Sequence, residues 1–201
     1  MTTLTQVLEV NWIILYFIYG QVFFVTGLVT GLQWRRRSDL ALASPLPWLA
    51  AFGIGLGFYA WGHIFIPLQV AYLPDSVVGV MVLAHLMLLA GTFFFLLQFG
   101  VELVLPLFPR LRWLRAVPSA LLVLWAVAFF LRGTLAHDPV DVLFAIGAGW
   151  ARYLLCFPGA LLASIGLFHQ ARQMREHHGA VLTDNNSAGG PNYIDMRRVA
   201  A

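Results

Sequence analysis

The chain reads as long apolar stretches separated by short polar breaks. Residues 11–33 are almost wholly apolar and stop at Trp34-Arg35-Arg36-Arg37; residues 47–67, 76–105, 117–131 and 140–168 repeat the pattern. Several of these runs exceed the roughly 18 residues needed to cross hydrocarbon as a helix. None alternates strictly between apolar and polar positions, which excludes barrel strands. A helix satisfies its own backbone polar groups inside a bilayer, so the expected fold is all-α: a polytopic transmembrane helical bundle of five spans.

Composition agrees with that pattern. The chain is 60% hydrophobic and only 10% charged, which is not the balance of a soluble domain. Its formal charge of +3 comes from arginine, since there is no lysine. Arg35, Arg36, Arg37, Arg110, Arg112, Arg115, Arg172 and Arg175 fall on one side of the bundle, and Arg132 alone on the other. The positive-inside rule then predicts the N-terminus out and the C-terminus in, for a chain that crosses its membrane several times. The basicity is therefore read as topology, and no nucleic-acid partner is expected. Met1-Thr2-Thr3-Leu4 brings no basic region before the first apolar run, so no cleaved signal peptide is expected. Residues 1–175 are expected to form the membrane domain. Residues 176–201 read as a polar, flexible cytoplasmic tail, or a linker to a further segment, with a turn-prone run from Asp184 to Asn192.

Small residues mark where helices approach. Gly20, Gly27 and Gly31 lie on one stripe of the first span, and Gly53 and Gly57 form a Gly-x-x-x-Gly pair on the second. Packing within the chain is the first expectation for this spacing, and a homodimer contact the second. Pro158-Gly159 is expected to kink the fifth span.

The chemistry centres on Arg152, a charge in the middle of an apolar run. A central arginine costs roughly 2.5–3.5 kcal/mol on insertion scales, so something must offset it. Ala148, Gly149, Arg152, Cys156, Gly159, Ala160 and Ala163 share one helical face. That face predicts Arg152 turned into the bundle. No carboxylate is expected at its depth; Gln21 is the best neutral partner, followed by Tyr16 and Tyr19. Arg152 then serves either to hold helices in register or to bind an anion such as a lipid headgroup, a cofactor carboxylate or a signal ligand. Trp61, His63 and Tyr153 complete the candidate ligand or register set.

His63 and His85 fall in the same half of adjacent spans, which makes a bis-imidazole haem conceivable. The paired spacing of usual metal ligands is missing, however. A packed histidine, with Tyr59 one turn before His63 as a hydrogen-bond partner, is the other reading. Cys156 has no intrachain disulfide partner, being the one cysteine. Gln98 and Glu102 share a face at the end of the third span, where interfacial water or the basic loop is expected to meet them. Phosphate loop, nucleophile elbow, metalloprotease motif and dinucleotide fingerprint are all missing from the sequence. No enzymatic activity is expected, and no cofactor is required.

Three stretches together carry a resemblance. They are Phe58-Tyr59-Ala60-Trp61-Gly62-His63-Ile64-Phe65-Ile66-Pro67-Leu68-Gln69, Phe93-Phe94-Phe95-Leu96-Leu97-Gln98-Phe99-Gly100, and Ala151-Arg152-Tyr153-Leu154-Leu155-Cys156-Phe157-Pro158-Gly159-Ala160-Leu161-Leu162-Ala163. In that order they resemble the N-terminal multi-span region of bacterial membrane sensor histidine kinases. The resemblance implies a non-catalytic, multi-pass membrane input module for signal transduction, in the bacterial cytoplasmic (inner) membrane. The chain departs from that family in placing Ala60 and His63 around Trp61-Gly62, where members carry acidic residues. The alternative is a structural accessory subunit of a larger respiratory or photosynthetic membrane complex, touching haem, pigment or lipid. Expected partners are the lipid bilayer and other membrane subunits or a second copy.

Overall fold

The computed structural model describes residues 2–36, 44–136 and 139–188; Arg37, His137, Asp138 and the residues from Gly189 onward lie outside the described residues. In chain order the helices are α1 (Thr2–Arg36), α2 (Leu46–Gln69), α3 (Asp75–Val104), α4 (Val117–Ala136), α5 (Val140–Ala151) and α6 (Phe157–Ala188). Two 3-10 segments, Leu105–Leu107 and Pro109–Ala116, join α3 to α4, and a π-helical turn, Arg152–Cys156, joins α5 to α6. No strand occurs among the described residues. Among the described residues, five stretches are long and apolar enough to cross a membrane: Asn11–Arg36, Leu46–Gln69, Asp75–Leu107, Arg112–Leu135 and Val142–Gln173. They coincide with the five apolar runs of the sequence.

Prolines set three of the helix starts. Pro45, Pro74 and Pro139 precede α2, α3 and α5, where a missing N–H costs nothing because no intrahelical acceptor exists yet. Hydroxyls inside the apolar stretches turn back onto their own helices. Thr26 donates to the Val22 carbonyl (2.7 Å), Thr30 to that of Thr26 (2.8 Å) and Thr92 to that of Leu88 (2.7 Å), so none leaves its donor unmet.

The third helix is the axis of the bundle. It packs on α2 on one side and on α4, α5, the π-turn and α6 on the other, while α1 touches only α2. The core runs along α3 through Leu86, Leu89, Ala90, Phe93 and Leu97, meeting Leu56 and Tyr59 of α2, Trp125 and Phe129 of α4, and Ala148, Ala151 and Leu155 beyond. Glycine makes the closest crossings. A Cβ on Gly53 would lie 2.8 Å from the Gly27 Cα, and one on Gly57 would lie 2.9 Å from the Gly20 carbonyl oxygen. The Gly-x-x-x-Gly pair of α2 is thus spent on α1 of the same chain. Gly159 likewise lies against the backbone of Leu97, and Gly100 against the Gly159 carbonyl, where α6 crosses α3.

Two sequence expectations need correction here. The buried column of the last span is Ala148, Ala151, Leu155, Gly159, Ala163 and Gly166, whereas Arg152 and Ala160 are exposed. Arg152 is therefore at the edge of the packed face and not at its centre. The cause is local: the Phe157 N–H bonds the Arg152 carbonyl five residues back, and this wide turn breaks the 3.6-residue stripe just before Pro158, which has no N–H to give. The second correction concerns residues 184–188, the start of the run from Asp184 to Asn192 expected to be turn-prone. They continue α6 to Ala188. Lengthening an existing helix needs no new nucleus, which favours that outcome.

Candidate functional site

Both histidines of the apolar stretches meet at one place. Their helices run antiparallel, so His63, near the end of α2, lies beside His85, ten residues into α3. The two rings touch edge to face, with 4.8 Å between centroids. Tyr59 stacks on His85 at 4.4 Å and meets His63 edge-on at 4.9 Å. Tyr16 of α1 covers His63 at 5.0 Å, and Phe144 of α5 lies parallel to His85 at 5.9 Å. Gly62 makes this possible, because a Cβ there would stand 2.7 Å from the His85 Nε2.

Hydrogen bonding fixes the chemistry of His85. Its Nε2 lies 2.8 Å from the Tyr59 carbonyl oxygen, which only accepts, so Nε2 carries the proton and donates. In the neutral ring Nδ1 is then the bare acceptor. Pro67 adds a second acceptor. It has no N–H to return to the carbonyl four residues back, that of His63.

Beside these groups is a cavity of about 490 Å³ lined by Gly62, His63, Ile66, Pro67, Val82, His85 and Phe144. Its walls are largely apolar, with two imidazoles as the polar elements, which is the usual make-up of a small-molecule pocket. The backbone of α2 packs on neither α5 nor the π-turn, so a cleft stays open between them over α3. Arg152 faces it: the guanidinium lies close to the Tyr59 hydroxyl, and its charge is felt at His63 and Cys156. At 1.5 Å per residue, Arg152 is about 18 Å along the helix from Val140, and Tyr59 about 15 Å from Gln69. Both therefore sit near the middle of helices long enough to cross a hydrocarbon core about 30 Å thick.

Of the residues singled out from the sequence, Arg152 and His63 come together. Gln21 is exposed on α1, whose backbone does not pack on the π-turn, while the Tyr59 hydroxyl of α2 lies close to Arg152. Tyr153 points away and is 79% exposed. Trp61 faces α1, donating to the Phe17 carbonyl at 3.3 Å and stacking near Phe17 and Phe24. The haem geometry is not met: two axial imidazoles need an iron and a macrocycle between them, and these rings are in direct contact. Among the described residues no three potential metal-ligating side chains cluster. Phe144 was not foreseen as a site residue; Tyr59 was expected only as a partner of His63, with which it shares a helical face.

At the opposite end, Glu102 pairs with Arg115 of the second 3-10 segment at 3.1 Å, so the acid does meet the basic loop, while Gln98 is buried. Comparison with known families, curated proteins and solved structures gives no match for this chain.

Proposed function

We propose that this chain is the membrane input module of a signal-transducing protein, its signal entering at the cavity beside His63 and His85. The observation that carries the reading is the position of Arg152. From the π-turn it approaches Tyr59, which packs on the cavity's His63 and His85, and α6 starts at the next residue after that turn. α6 then runs without a break from Phe157 to Ala188, about 22 Å past the end of its apolar stretch at Gln173. A π-turn is one extra residue held in a helix, and its gain or loss re-phases everything downstream. Occupation of the cavity that alters the Arg152–Tyr59 pair thus has a direct route to the helix that leaves the bundle. The pocket's chemistry suits an apolar molecule with one hydrogen-donating edge, directed at Nδ1 of His85 or the carbonyl of His63.

The resemblance to the input regions of sensor histidine kinases supports the same reading. A fusion of the full chain to a cytoplasmic reporter kinase tests it. Arg152→Ala is expected to change kinase output while leaving membrane insertion intact. Unchanged output from an inserted variant contradicts the proposal.

A further inference from the structure

A second cavity, of about 360 Å³, opens at the other end of the bundle among Ser44, Glu102, Arg112, Arg115 and Gln170. Each of these residues is at or near the end of an apolar stretch, which run from Leu46, to Leu107, from Arg112 and to Gln173. In a bilayer that is headgroup level. Donors and acceptors are both present. Arg115 spends one hydrogen bond on Glu102 and is 63% exposed in its side chain, which leaves further N–H groups facing outward beside Arg112. Glu102 is only 11% exposed, and the Gln170 Oε1 is buried with no partner, the one such side-chain atom among the described residues.

A bare anion answers half of this arrangement: it would take the arginines but meet the Glu102 carboxylate with like charge and offer nothing to the Gln170 oxygen. A group that pairs a phosphate with its own N–H or O–H donors answers both halves. We propose that this cavity holds the headgroup of a phospholipid with hydrogen-bond donors beyond its phosphate, as phosphatidylethanolamine and phosphatidylglycerol have and phosphatidylcholine has not. The phosphate goes to Arg112 and Arg115, and the amine or hydroxyl donates to Gln170 and Glu102.

Native mass spectrometry of the full chain in detergent, with the three lipids at matched acyl chains, tests this. Phosphatidylethanolamine is expected to bind about tenfold more tightly than phosphatidylcholine, the effect of one well-placed charged hydrogen bond. Gln170→Leu should remove that preference without weakening phosphatidylcholine, and Arg112→Gln should weaken all three lipids. Equal binding of phosphatidylethanolamine and phosphatidylcholine by the unmodified chain overturns the proposal, independently of any variant. Displacement of the lipid by inorganic phosphate also overturns it, since the site then reads an anion alone.

Discussion

The Arg152 guanidinium lies close to the Tyr59 hydroxyl, across the cleft between the π-turn and α2, two segments whose backbones do not pack on each other. Interhelical hydrogen bonds in bilayers average about 0.6 kcal/mol and reach about 1.7. A double-mutant cycle of Tyr59→Phe and Arg152→Gln, read from unfolding in bicelles, is expected to give a coupling of about 1 kcal/mol. Additive effects would mean that the two side chains do not act on each other.

Glycine positions divide sharply by what a Cβ would meet. Gly27 and Gly53 face each other's backbone, so Gly53→Val should cost on the order of 2 kcal/mol or more and loosen α1 from α2. A Cβ at Gly79 or Gly91 meets nothing within 4 Å, so Gly79→Ala and Gly91→Ala should be neutral or gain up to about 1 kcal/mol of helix propensity. Thermal unfolding of the four proteins, with a cysteine cross-link between α1 and α2 as the local readout, checks the contrast.

Trp125 is 1% exposed and its indole N–H donates to the Gly147 carbonyl at 3.0 Å, tying α4 to α5. Trp125→Phe removes the donor and leaves a space, and about 2 kcal/mol of destabilisation is expected. Gly147→Ala acts on the same contact from the other side, because its Cβ would stand 2.7 Å from the Phe129 ring. The two losses should fall short of additive when combined.

Contact between the His63 and His85 rings leaves no place for a macrocycle between them. Haemin added to the purified chain is expected to give no low-spin bis-imidazole spectrum. Such a spectrum, lost in His63→Ala or His85→Ala, would show that the rings part to admit iron.

The apolar run lengths and the glycine and proline positions made the helices legible, because hydrocarbon admits few alternatives to a helix and close crossings need small residues. Arg152 and His63 stood out for a similar reason: polar groups are rare there and costly. The partner of Arg152 was not legible. Gln21 was favoured by depth alone, and depth says nothing about which helix lies beside which; the α1 backbone packs on α2 and not on the π-turn. The facing of Arg152 was misjudged because the stripe from Ala148 to Ala163 assumes a regular helix, and the π-turn at Arg152–Cys156 breaks it. Glu102 was legible as a residue meeting the basic loop, but its pairing with Arg115 depends on the 3-10 segment that folds that loop back.

The central claim is that the Arg152–Tyr59 pair couples the histidine cavity to α6. It is tested most directly by spin-label distances between the end of α3 and the part of α6 beyond Gln173, in nanodiscs, for the unmodified chain, Tyr59→Phe and Arg152→Ala. The account predicts that both variants shift the distance distribution in the same direction while the α1–α2 distance stays fixed. Identical distributions in all three proteins would contradict it.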